Sequence, residues 1–182
     1  MKTLIVYTSQ TGFTQRYAEW IAARLHAEMI PVGELKKRTE ESLKEYDTII
    51  YGGWASMGKV VRADQFFTRA KDWKDKRLAL FCVGAADAEE PTMQEAMKKV
   101  VPEELRSEIK AFYFPGGLNY EKMNLPSRMM MKSFAAMLKG EKAKLYAHSF
   151  DRSKEEYIEP IVSWVTGAGE EEVAQKGALV FA

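Results

Sequence analysis

The chain reads as a doubly wound α/β domain, a five-stranded parallel sheet with helices on both faces. Three observations predict it. Short β-branched or aromatic runs alternate with segments of helical period. The first run, Lys2 to Tyr7, ends in a Thr/Ser/Gly cluster from which a helix starts. At 182 residues, with 46% apolar and 29% charged residues, the chain has ordinary globular composition and enough length for one core.

The elements follow in order. Lys2 to Tyr7 is the first strand, rich in β-branched and aromatic residues as a buried parallel strand is. After Gly12, Tyr17, Ile21 and Leu25 recur at a spacing of four, so a helix is expected to about Glu28. Met29 to Leu35 is the second strand, and the charged stretch Lys36 to Glu45 is a surface helix or loop. Asp47 to Tyr51 is the third strand, closed by Gly52-Gly53. Phe66, Phe67 and Ala70 mark a helix over Arg62 to Trp73. Arg77 to Val83 is the fourth strand, ending at Gly84. Pro91 opens a helix reaching Val101, consistent with proline in a first turn. Ile109 to Phe114 is the fifth strand. Pro126 to Leu138 and Glu155 to Val165 are the last helices. The domain is expected to span residues 1–166, with 167–182 a weakly specified C-terminal tail.

Composition narrows the function classes. The net charge is +1 and basic residues form no long tract, so nucleic acid is not an expected partner. One cysteine, Cys82, excludes an intrachain disulfide, and two histidines make a zinc cluster an unexpected feature; no metal site is expected. No run of about 18 apolar residues is present, so no transmembrane helix is expected. The apolar start is too short for a signal peptide, and a cytoplasmic location is the default expectation.

In sheets of this kind, ligands sit outside the carboxyl ends of the strands. The loop after the first strand is Thr8-Ser9-Gln10-Thr11-Gly12-Phe13-Thr14. It stands directly before a helix, where unpaired N–H groups and the helix dipole attract an anion. Ser9, Thr11 and Thr14 can donate hydroxyls to phosphate oxygens, and Gly12 lets the backbone pass close. Capping alone would also use Ser and Thr here. A Walker loop is absent, since no Gly-Lys-Ser/Thr occurs, and a dinucleotide fingerprint is absent, since Gly12 stands alone.

The segment Tyr7 to Thr14 resembles the T/S-x-T-G-x-T signature of flavodoxins. The resemblance implies a flavodoxin-like sheet of order 2-1-3-4-5 and one FMN, its phosphate on the backbone and hydroxyls of Thr8, Ser9, Gln10, Thr11, Gly12, Phe13 and Thr14. It implies two flavin loops. In the first, Gly53, Trp54, Ala55, Ser56, Met57 and Gly58 would lie at the ring, with Trp54 stacked on one face. In the second, Gly84, Ala85, Ala86 and Asp87 would read the pyrimidine edge. Flavodoxins usually carry an aromatic shortly after that aspartate; here Ala88, Glu89, Glu90 and Pro91 follow, which leaves one flavin face without an aromatic cover. Cys82 reads as a buried small hydrophobe of the fourth strand.

After the fifth strand, residues 120–144 form a basic, methionine-rich stretch. Met130, Phe134, Met137 and Leu138 make one stripe, with Arg128, Lys132 and Lys139 beside it. Three readings stand: a helix packed on the sheet, a methionine wall over an apolar substrate, and a membrane-surface helix giving peripheral contact with the inner membrane face. This stretch, with Tyr46-Asp47, is similar to the flavodoxin-type protoporphyrinogen oxidases of bacteria, although Gln10, Phe13 and Asn124-Leu125-Pro126 depart from their pattern. That resemblance implies an FMN-dependent oxidoreductase that oxidises a small apolar reductant and passes electrons to a quinone. The alternative is a flavodoxin acting as a non-catalytic electron-transfer protein toward a redox partner protein; a third reading is an interaction domain without cofactor. No acid or base is assigned: His26 falls on the first helix and His148 near the last.

Overall fold

The computed structural model describes residues 1–168 and 179–181. The first half comprises β1 (Thr3–Tyr7), α1 (Phe13–Leu25), β2 (Glu28–Pro31), α2 (Val32–Leu35), α3 (Glu40–Leu43), β3 (Thr48–Ser56), β4 (Lys59–Val60), α4 (Asp64–Ala70) and β5 (Arg77–Gly84). The second comprises α5 (Pro91–Met97), β6 (Ile109–Pro115), β7 (Gly117–Leu118), α6 (Leu125–Met137), α7 (Gly140–Tyr146), β8 (Phe150–Asp151), α8 (Glu159–Thr166) and β9 (Leu179–Phe181). Single 3-10 turns cover Glu103–Leu105 and Glu155–Ile158.

The sheet order is β2-β1-β3-β5-β6-β9, with β4 attached to β3. The β2, β1, β3, β5 and β6 strands pair in parallel, and these are the five expected strands in the expected order. Each central strand feeds two cores, because successive side chains point to opposite faces. On one face Leu4, Val6, Tyr51, Leu80 and Tyr113 meet Leu35, Leu43, Phe66 and Met97 from α2, α3, α4 and α5. On the other, Ile5, Ile50, Phe81, Phe112 and Phe114 meet Tyr17 and Ile21 of α1 and Ile161 and Val165 of α8. Full burial of one such side chain is worth about 1.5–3 kcal/mol, so this double layer holds the fold.

Several boundaries differ from the sequence reading, each for a local reason. The second strand ends at Pro31, which has no N–H for the ladder, and Val32 to Leu35 turns helical and buries Val32 and Leu35. The third strand does not close at Gly52-Gly53 but runs to Ser56. Neither glycine has positive φ. A Cβ on Gly52 would stand 2.0 Å from Phe81 Cζ, and one on Gly53 2.5 Å from Val60 Cγ1. Both glycines therefore make room for packed side chains inside the sheet. The last helix begins as a 3-10 turn and becomes α-helical at Glu159, with Pro160 in its first turn. Most of the expected tail lies outside the described residues, but Leu179–Phe181 pairs antiparallel with Ala111–Tyr113 and adds an edge strand.

Residues 116–152 leave the sheet and return to it. Gly117 and Leu118 pair with Asp151 and Phe150, and the Arg152 N–H donates to the Gly116 carbonyl at 2.8 Å. A Cβ on Gly117 would meet the Phe150 carbonyl at 2.0 Å, so only glycine permits this closure. The excursion has its own small core of Leu118, Tyr120, Ala135 and Tyr146, against which Ala85, Met131 and Leu138 pack. Asn124 caps α6: its Oδ1 accepts the Ser127 N–H at 2.9 Å. The helix is also rotated from the expected stripe. Met131, Ala135 and Leu138 turn inward, while Met130, Phe134 and Met137 are exposed.

G52A is expected to lose about 1–3 kcal/mol of stability through overpacking against Phe81. Urea unfolding measures it, and F81L added to G52A is expected to recover part of the loss.

Candidate functional site

The loop between β1 and α1 is shaped by three contacts. The Thr8 N–H donates to the Gly52 carbonyl at 2.9 Å, tying the loop to β3. The Gly12 N–H donates to Ser9 Oγ at 3.2 Å. Gly12 itself has φ +100°, a left-handed conformation that glycine adopts without a Cβ penalty. Below the loop, the Tyr17 hydroxyl donates to the Pro115 carbonyl at 2.5 Å and joins α1 to the end of β6. Burial pushes the Tyr17 phenol well above its ordinary range, so it remains a donor.

No side chain caps α1. Among the described residues, the N–H groups of Phe13, Thr14 and Gln15 have no carbonyl partner, as the first turn of a helix dictates. The hydroxyls of Thr8, Thr11 and Thr14 are likewise unengaged among the described residues, although Thr8 and Thr14 are buried residues. A capped-helix role would occupy one of these hydroxyls with a first-turn N–H. The arrangement instead offers several neutral donors together, a donor set that fits a phosphate. Arg16 does not join them; its guanidinium pairs with Asp151 at 2.5 Å and with Ser153 Oγ at 2.6 Å.

Beside the loop, at the carboxyl ends of β1, β3 and β5, lies a slot of about 120 Å³. Gln10, Thr11, Phe13 and Thr14 form its floor at the phosphate loop, Trp54, Ala55 and Ser56 one wall, and Val83, Gly84 and Ala85 another. The excursion supplies the remaining side through Leu118, Met123, Met130 and Met131. Thus nine of the residues singled out in the sequence (Gln10, Thr11, Phe13, Thr14, Trp54, Ala55, Ser56, Gly84 and Ala85) converge on one slot.

The others lie around it. Thr8, Ser9 and Gly12 shape the loop. Gly53 sits under Val60. Met57 and Gly58, with φ of +50° and +76°, form the two-residue tip of the β3–β4 hairpin, the geometry of a type I′ turn. The Ala86 carbonyl accepts from the Tyr113 hydroxyl at 2.8 Å. Asp87 pairs with Arg152 at 2.6 Å, fastening the loop after β5 to the excursion. Lys142 and Glu90 make a second such tie at 3.0 Å.

Met123 and Met131 belong to the stretch 120–144 for which a methionine wall was one reading, though the run does not say which side of a helix faces a slot; Leu118 lies before that stretch and was not singled out. A second hollow of about 450 Å³ lies between the start of α1 and the β7–β8 pair. It is lined by Gln15, Glu19, Asn119 and Lys122 and by the Arg16–Asp151 pair. It also borders Thr11, Gly12 and Phe13 of the loop, and its charged side chains suit an apolar ring less well than the slot does.

Among the described residues no titratable side chain lines the slot. His26 caps the end of α1, and His148 lies just beyond α7 rather than near the last helix. The Cys82 thiol is fully buried in β5, and burial pushes it up to about 12, so it stays protonated. Among the described residues no group of His, Cys, Asp and Glu could hold a metal ion.

Comparison with known proteins agrees with this architecture. The family model for the flavodoxin domain matches residues 4–144. Among solved structures, the chain is similar to the Trp repressor binding protein of Bacillus subtilis at 16% identity, with 63% of this chain and 83% of that one covered and a TM-score of 0.47. It is similar to a flavodoxin from the domain Archaea at 17% identity, covering 81% and 94%, TM-score 0.40. It is also similar to a flavodoxin, WrbA-like protein from Agrobacterium tumefaciens at 18% identity, covering 80% and 92%, TM-score 0.40. A search of curated proteins gives no match.

The Asp151 clasp makes a pH-dependent prediction. Burial favours the neutral acid, but hydrogen bonds from Ser153 and the Arg16 guanidinium outweigh it and hold the carboxyl below its usual range. A depressed carboxylate stabilises the fold at neutral pH and loses that contribution as pH falls through its folded value. The melting temperature of D151N is therefore expected below wild type at neutral pH. The gap should narrow below the ordinary aspartate value of about 3.9 and close at more acid pH.

Proposed function

The chain belongs to the flavodoxin domain family, and on that premise we propose that it binds one FMN and works as an FMN-dependent oxidoreductase. One observation carries the reading: unengaged hydroxyls and first-turn N–H groups of the β1–α1 loop open onto a slot walled by Trp54 and methionines. Thr11, Thr14 and the N–H groups of Phe13 to Gln15 would hold the phosphate. Trp54, Ala55, Ser56, Gly84 and Ala85 would border the ring. Bound FMN supplies the electron or hydride transfer; the protein binds it, orients it and excludes water.

Neutral donors have a consequence. Since Arg16 is committed to Asp151, phosphate binding would rest on hydrogen bonds and the helix dipole, with weak dependence on salt. Methionines suit the opposite wall. Each has three rotatable bonds and a polarisable sulfur, so the slot can widen for a planar ring at little cost.

The substrate we infer is a small apolar reductant, with a quinone as acceptor, in the manner of a flavodoxin-type protoporphyrinogen oxidase. Two features support it. Leu118, Met123, Met130 and Met131 give the slot an apolar side, while the loop after β5 carries Ala88, Glu89 and Glu90 in place of a stacking aromatic, and the excursion stands after the fifth parallel strand. An electron-transfer protein without a small substrate remains the competing reading, and turnover separates the two.

The purified chain is expected to retain FMN after excess is filtered away, with quenched flavin fluorescence. T11A and T14A are each expected to weaken FMN binding by about tenfold, the effect of one lost phosphate hydrogen bond. Failure to retain FMN at micromolar concentration would overturn the proposal. Retained FMN with turnover of protoporphyrinogen or quinones supports the enzyme; retained FMN with no such turnover supports the electron carrier.

A further inference from the structure

We propose that the outer face of α6 docks the protein on an anionic phospholipid surface. The inference goes beyond the flavin reading and stands without it. Large exposed hydrophobics are few on this chain, and among the described residues five of the seven lie on this one helix: Leu125 at 67%, Met129 at 62%, Met130 at 44%, Phe134 at 46% and Met137 at 81%. Its opposite side packs inward through Met131, Ala135 and Leu138, and of the outer face Phe134 also touches Tyr146 edge-on while Met130 borders the slot. The helix thus shows apolar side chains both inward and outward, a pattern that a helix facing water on its outer side does not need.

The charges around this face choose the occupant. Lys122, Arg128, Lys132 and Lys139 flank it, and no acidic residue occurs between Glu121 and Glu141. Among the described residues none of these four cations is in an ion pair, whereas lysines and arginines elsewhere on the surface commonly are. A second copy of the chain on this face would oppose cations to cations across a two-fold axis. Methionine, phenylalanine and arginine are enriched at protein interfaces as well, whereas lysine is depleted there; it is the three nearby lysines, none of them in an ion pair among the described residues, that favour an anionic lipid surface. Apolar side chains rimmed by lysines whose long stems reach toward headgroups are what an anionic bilayer accommodates. No helix among the described residues is long and apolar enough to cross a membrane, so the contact is a surface one.

Docking has a geometric consequence for the slot. Met130 belongs both to the exposed face and to the slot lining, and Ser127 and Met131 line it from the same helix. A docked α6 therefore brings the mouth of the slot to the lipid, where an apolar electron donor or acceptor dissolved in the bilayer could reach it.

The test is flotation of the full-length chain with phosphatidylcholine vesicles, with and without phosphatidylglycerol. Binding is expected with phosphatidylglycerol, roughly tenfold or more weaker without it, and reduced by salt. M129E together with M137E alters two exposed side chains, so the melting temperature should hold while vesicle binding falls about tenfold or more. K132E with K139E is expected to remove the preference for phosphatidylglycerol. No flotation with phosphatidylglycerol at low salt overturns the proposal, as does flotation indifferent to M129E/M137E. A concentration-dependent dimer abolished by M129E/M137E would assign the face to a second copy instead and also overturn it. FMN retention, measured on the same variants without lipid, keeps a failure of docking distinct from a failure of the flavin reading.

Discussion

Two-sided burial of the central strands is the constraint from which the rest of the structure follows. Strands β1, β3, β5 and β6 send alternate residues into two separate cores, so helices must cover both faces and neither face is left for a ligand. Only the strand ends remain accessible. At the carboxyl ends the chain turns from strand to helix, and the first of these turns leaves helical N–H groups without partners. The candidate site lies there, where first-turn backbone N–H groups among the described residues are left for an external partner.

Close approaches inside the sheet maintain that arrangement. Gly52 lies directly over the Phe81 ring, and Gly84 leaves room for Tyr113, whose hydroxyl reaches the Ala86 carbonyl. These contacts fix the loops after β3 and β5 from below. The excursion fixes them from the side, through Arg152 to Asp87, Lys142 to Glu90, and the packing of Ala85 against its small core. Exposed ion pairs of this kind contribute little stability individually. Their effect is positional: they hold Met123, Met130 and Met131 along the slot. The excursion therefore has two faces with different tasks, one closing the slot and the other presented outward.

The five parallel strands and their order were legible because buried parallel strands are written as continuous apolar runs, such as Leu4-Ile5-Val6, and because each is followed by turn residues. The phosphate-loop candidate was legible for a related reason: hydroxyls and a glycine at a strand–helix junction are a local pattern. The second strand was read too long, because Val32 and Leu35 are apolar in any conformation and only their burial at helical spacing against the sheet distinguishes the two. Gly52-Gly53 was read as a terminator because glycine usually interrupts strands; the Phe81 ring that requires it lies 29 positions away in sequence.

The sequence by itself determined the layer architecture, the position of the candidate anion-binding turn and the presence of a basic, methionine-rich segment, since all three rest on local periodicity and composition. Tertiary structure decided which way that segment faces. The stripe of Met130, Phe134 and Met137 would serve equally well buried or exposed by periodicity alone, and it is the closure of Gly117 on Phe150, with Met131, Ala135 and Leu138 taken by the small core, that turns it outward. Tertiary structure likewise withdrew Asp87 from the slot lining by pairing it with Arg152. Both outcomes depend on contacts between residues far apart in the chain, and sequence periodicity carries no information about partners at that distance.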